Sequence, residues 1–127
     1  INKISYSFGE PKRGDVIVFL PNGNENTHYY IKRVIGLPGE TVTISDGRIY
    51  LDGYFYEESD SYDTIEDGGI AEKGIKLGEE EYFVLGDNRN NSEDSRSANV
   101  GAVKEDTIAG KAWFKLGNSI DMIGFIE

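Results

Sequence analysis

The sequence is defined first by what it lacks. It contains no cysteine, so disulfides, thiolate metal centres and a cysteine nucleophile are all excluded. That absence leaves the compartment open. It has one histidine, His28, so neither a histidine-rich metal site nor a Ser-His-Asp triad is expected unless His28 itself is central. Cations are few: 13 Lys and Arg stand against 23 Asp and Glu, a net charge of -10. A general nucleic-acid binder would need the opposite balance. No run of 18 apolar residues occurs, so nothing in the sequence reads as a membrane-spanning helix. The opening Ile1-Asn2-Lys3-Ile4 reads as the interior of a longer chain, with its natural N-terminus upstream.

What is present points to strands. The 127 residues suit one domain. The chain has 16 glycines, and its apolar runs are short and rich in Val, Ile, Tyr and Phe. The runs Val16–Leu20, Tyr29–Ile35, Thr41–Ile44, Arg48–Leu51, Tyr82–Leu85, Ile108–Leu116 and Ile120–Ile126 are predicted strands. Asp46-Gly47 between two of them predicts a hairpin, and Asp52-Gly53 a second turn. No long helix is expected. The fold class is mostly β: a single domain of several short antiparallel strands, arranged as a barrel or paired sheets. Residues 57–81 carry ten acidic residues against Lys73 and Lys76. This segment is expected as an acidic, solvated surface insertion.

Two stretches can carry chemistry. In Tyr29-Tyr30-Ile31-Lys32-Arg33-Val34-Ile35, side chains alternate between two faces that are otherwise apolar or aromatic. Lys32 and Arg33 therefore point in opposite directions from a strand with little polar surface. A buried arginine stays charged and requires a carboxylate. A buried lysine can shed its proton and serve as a general base. Alternatively both snorkel to the sheet edge. The second stretch is the polar loop 86–96, which holds Asp87, Arg89, Ser92, Asp94, Ser95 and Arg96. It can supply a carboxylate fork for arginine and a hydroxyl for a neutral lysine. It also reads as a structural turn or a calcium-like loop, although its carboxylates miss the EF-hand spacing and two arginines would repel the ion. His28 is expected at the surface or a strand edge. Trp113 is expected in the core or on a sheet surface.

Together these motifs resemble bacterial type I signal peptidase, with a Gram-positive-like spacing. Arg13–Phe19 resembles the family's Arg-Gly-Asp strand box. Lys32–Glu40 resembles its lysine box, and Gly86–Arg96 its Asp-Asn-Arg box. The resemblance implies a signal-peptidase-like β-fold over residues 1–127, covering part of a catalytic domain. It implies that Lys32 is the general base of a Ser-Lys endopeptidase and that Ser92 is a supporting serine which orients that lysine. Asp94 with Arg96, and Asp87 with Arg33, match structural pairs around the site. Asn90 stands where some members carry Asp. The implied partners are signal peptides of exported preproteins, with no cofactor, no metal and no nucleic acid. The implied location is the cell membrane, with the catalytic domain on the extracytoplasmic side.

The sequence departs from the family in one respect. The nucleophile of the family lies in a Ser-Met-x-Pro box, and Met122 is the only methionine here. Ser5 and Ser7 match no nucleophile motif. The nucleophile and the membrane anchor are therefore expected upstream of Ile1, and this chain alone is expected to be soluble and inactive. Three alternatives compete: a non-proteolytic homologue that assists pilus or surface-protein assembly, Ser92 itself as nucleophile, and an acidic adhesion module centred on 57–81.

Overall fold

A computed structural model describes residues 10–21, 28–59, 61–114 and 120–121; beyond Lys111 only the backbone is described. The predicted core position of Trp113 and most of the strand predicted at Ile120–Ile126 lie outside that description.

Among the described residues, ten strands form two antiparallel sheets. The strands are β1 (Val16–Phe19), β2 (Tyr30–Gly36), β3 (Thr41–Ser45), β4 (Arg48–Leu51), β5 (Tyr54–Phe55), β6 (Ile75–Lys76), β7 (Glu81–Leu85), β8 (Val103–Lys104), β9 (Ile108–Phe114) and β10 (Ile120–Asp121). The larger sheet runs β10-β9-β1-β2-β7-β8 and the smaller runs β5-β4-β3-β6. Two short 3-10 helices, Gly69–Lys73 and Glu105–Thr107, complete the described elements. The hairpin between β3 and β4 turns on Asp46 and Gly47, both at positive φ (52° and 78°). This is the geometry that a two-residue turn needs to match strand twist.

Alternation along the strands builds two large apolar clusters and a small third one among the described residues. Ile35, Phe83 and Leu85 of the large sheet face Val42, Ile44 and Ile49 of the small one. On the opposite face, Ile17, Phe19, Val34, Tyr82 and Val84 pack with Val100, Val103 and Ile108. Strand β2 is thus covered on both sides: Val34 enters the second cluster and Ile35 the first. Strand β1 is buried at every position for its own reason: Ile17 and Phe19 enter the second cluster, and Val16 and Val18 form a small cluster on the other face.

The acidic segment is fastened to this frame. Ile65, Ala71 and Leu77 are buried in the first cluster, and β6 pairs with β3. Burying Ile65 and Leu77 contributes about 1.5–3 kcal/mol each, more than a surface ion pair supplies. Most of the segment's charges face outward, Glu58 turns inward onto Arg89, and its few apolar residues hold it in place.

Candidate active site

The site is assembled where β2 and β7 end beside the loop 86–96. Lys32 is paired with Ile17 of β1, and Arg33 with Leu85 of β7. β7 therefore delivers Gly86 and the loop directly to the two cations. Arg33 donates through Nε and Nη2 to both oxygens of Asp87, at 2.8 and 2.7 Å, and through Nη1 to the Gly14 carbonyl at 2.9 Å. That fork holds the Asp87 carboxyl below the ordinary carboxylate range, against an upward push from burial.

The loop has no regular secondary structure and is fixed by side chains. Asp94 is 1% exposed. Its oxygens accept from Arg96 Nε and Nη2, each at 2.8 Å, from the Gly86 amide at 2.9 Å, from the Arg96 amide at 3.1 Å and from the Ser92 hydroxyl at 2.8 Å. Burial alone would push the Asp94 carboxyl up, but these donors, Arg96 foremost, hold it down. Ser95 caps the arrangement. Its amide donates to the Val84 carbonyl and its hydroxyl accepts from the Val84 amide, so the loop extends the pairing of β7 beyond β8.

Lys32 is half-buried. Its Nζ lies 5.4 Å from the centre of the Tyr30 ring. A Cβ added to Gly86 would meet Lys32 Nζ at 3.4 Å and collide with Ser92 Oγ. The amine and the hydroxyl thus both border a bare backbone position that only glycine leaves open. Among the described residues, no hydrogen bond or ion pair engages the Lys32 amine. Burial lowers its pKa from the ordinary 10.5; the charges of Asp94, Glu93 and Asp87 oppose that shift, and Arg96 reinforces it. The hydroxyl of Ser92 donates to Asp94 rather than to Lys32. A carboxylate two residues away is the stronger acceptor, and the hydroxyl's lone pairs stay available to an incoming donor.

Sequence reasoning assigned no role to several parts of this frame. Arg89 is 1% exposed. It donates to both oxygens of Glu58 at 2.7 Å and to the Gly86 carbonyl at 2.8 Å, and its guanidinium stacks 4.0 Å from the Tyr62 ring centre. Arg13 of the Arg-Gly-Asp stretch forks onto Glu40 at 2.6 and 2.9 Å, which ties the first motif to the end of the second. Asn90 accepts from the Glu66 amide and donates to the Thr64 carbonyl. An aspartate there would lose the donor, which accounts for an amide at this position. A cleft of about 270 Å³ is lined by Ser92, Asp94 and Arg96 of the loop and by Glu66, Asp67 and Gly69. His28 and Tyr29 are exposed at the entry to β2. Among the described residues, no group of His, Asp or Glu is placed to hold a metal ion.

The chain as a whole has relatives among known proteins. The family model described as "Signal peptidase, peptidase S26" matches residues 1–116. This chain belongs to the signal peptidase family. It is 39% identical over 121 residues to Signal peptidase I T of Bacillus subtilis (strain 168), covering 90% of this chain and 61% of that protein. It is 42% identical over 120 residues to Signal peptidase I of Leptolyngbya laminosa, covering 88% of this chain and 56% of that protein. The crystal structure of a signal peptidase I from Enterococcus faecalis V583 superposes with a TM-score of 0.62 at 33% identity, covering 83% of this chain and 98% of the other. The mostly β, antiparallel fold is therefore that of a signal peptidase I. The chain spans about 60% of the length of the curated relatives it matches. Among the described residues, no helix is long and apolar enough to cross a membrane.

Proposed function

We propose that this chain is the lysine-bearing part of a membrane-anchored Ser-Lys endopeptidase that removes signal peptides from exported preproteins. The observation that carries the reading is Lys32: an amine half-buried against Tyr30 and Gly86, without a paired carboxylate, whose burial favours the neutral form. A neutral amine can act as general base near physiological pH. In this reading the nucleophile is a serine of the parent polypeptide upstream of Ile1. Lys32 Nζ takes the proton from that hydroxyl as the oxygen attacks the carbonyl carbon of the scissile peptide bond. The C–N bond breaks, and Lys32 returns the proton to the leaving amine. Lys32 then deprotonates a water, which hydrolyses the acyl-enzyme and frees the serine. Ser92 supports the lysine across Gly86, while Asp94 with Arg96 and Asp87 with Arg33 hold the surrounding loop. The signal peptide binds extended, as an added strand beside the sheet.

The donation from Ser92 to Asp94 supports a helping rather than a nucleophilic role for that serine. Cleavage of a preprotein by the full-length protein tests the assignment. Lys32→Ala abolishes processing, whereas Ser92→Ala weakens it and leaves a measurable rate. Processing that survives Lys32→Ala refutes the reading. Complete loss in Ser92→Ala, with covalent trapping of an acylated Ser92 in the parent, would make Ser92 the nucleophile.

A further inference from the structure

We propose that Tyr30 and Glu93 form a clasp that closes the Lys32 recess, making them positioning residues for the base. This inference rests on the reading of Lys32 as the general base. Tyr30 and Lys32 stand two residues apart on β2 and so share a face. The ring of Tyr30 lies between the second apolar cluster and the amine: it packs on Phe19 at 6.0 Å between centres and faces Lys32 Nζ at 5.4 Å. Its hydroxyl donates to Glu93 Oε1 at 2.9 Å across 63 residues of sequence. Glu93 is the residue between Ser92 and Asp94, so the bond ties the strand that carries the lysine to the loop that carries its neighbours. Asn99 holds the second oxygen of Glu93 at 3.5 Å.

The clasp acts on the amine in two opposed ways. The tethered ring withholds water from Lys32, and burial is the largest influence lowering that amine's pKa. The Glu93 charge works against it and favours the protonated form. The other groups facing Lys32 are Asp94 and Asp87, which act with Glu93, and Arg96, which acts against it. Of these carboxylates, Asp94 and Asp87 are committed to arginine forks, whereas Glu93 is bound by neutral donors among the described residues. Glu93 is therefore the carboxylate whose charge can be removed without breaking an ion pair.

Two substitutions separate the effects. Glu93→Gln keeps an acceptor for the Tyr30 hydroxyl and removes the charge. Glu93→Ala removes both. The measurement is the pH dependence of preprotein cleavage by the full-length protein, together with the pH dependence of Lys32 modification by an amine-reactive acetylating reagent, read by mass spectrometry. In Glu93→Gln the acid limb of both profiles moves to lower pH by about 0.3–0.5 unit, the size expected for removing one solvent-screened charge. In Glu93→Ala both profiles lie above those of Glu93→Gln, because the recess opens to water. Coincident profiles for the two variants overturn the clasp, as does a Glu93→Gln profile unmoved from the parent. The labelling profile reports the amine without requiring turnover. A parent protein that fails to cleave while its labelling shifts appear would refute the protease reading and leave the clasp standing.

Discussion

Gly86→Ala is the sharpest perturbation that the geometry offers. The glycine amide donates to Asp94 and its carbonyl accepts from Arg89, and an alanine keeps both groups. Only the added methyl differs. It would stand 2.5 Å from Ser92 Cβ and overlap Ser92 Oγ, with Lys32 Nζ at 3.4 Å. Ser92 must move, and its bond to Asp94 moves with it. Inserting one methyl into a packed site costs about 1–3 kcal/mol in stability. A displacement near 1 Å of groups flanking a reacting atom costs about 10²-fold in rate. Gly36→Ala supplies the control. A Cβ there would meet Val42 Cγ2 at 2.6 Å, and Leu77 and Phe83 at 3.0 Å, inside the first apolar cluster and away from Lys32. Both variants are expected to lose stability in the same range by urea denaturation. Only Gly86→Ala is expected to lose about 10²-fold in preprotein cleavage beyond what its stability explains. Equal activities in the two variants, or a Gly86→Ala protein as active as the parent, would show that nothing decisive meets over Gly86.

Further outcomes concern the ion pairs. Asp94→Asn leaves the largely buried Arg96 guanidinium without its anion, and should cost about 3–5 kcal/mol by urea denaturation. Asp87→Asn, at a carboxylate 41% exposed, should cost clearly less, and equal losses would contradict the difference in burial. Glu40, Asp87 and Asp94 all titrate below their ordinary values in the folded chain, where burial pushes each up but arginine and amide donors outweigh it. The unfolded chain then binds more protons, so these carboxylates contribute stability above the ordinary values of 4.5 and 3.8 and lose it as pH falls through the lower folded ones. Melting followed by circular dichroism should therefore give a level Tm between about pH 7 and 5 and a fall below about pH 4. A Tm that rises on acidification would contradict this.

The sheet framework was legible because alternation and turn chemistry are local. Val16–Phe19, the Asp46-Gly47 hairpin and Tyr82–Leu85 all announce themselves within a few residues. The two-residue strands β6 and β8 did not, since so short a run has no periodicity. The 3-10 helix at Gly69–Lys73 was hidden within an acidic stretch that composition marks as surface. Its hold on the core rests on Ile65, Ala71 and Leu77, three apolar residues spread over thirteen positions. At the site, the residue types of the loop indicated arginine forks, but not every pairing. Arg89 finds Glu58 31 residues away, and Arg13 finds Glu40 at a separation of 27, distances that only the folded sheet brings together. The hydroxyl of Ser92 was expected on Lys32 and is instead donated to Asp94. That choice depends on loop backbone geometry, which a residue list does not contain.

The central claim is that the amine at Lys32 is held in a recess that disfavours its charge. Titration of the Lys32 side chain by NMR, with the resonance assigned through Lys32→Arg, measures this directly. A midpoint below the ordinary lysine value of 10.5 is expected, because burial disfavours the charged form. A midpoint at or above that value would contradict it.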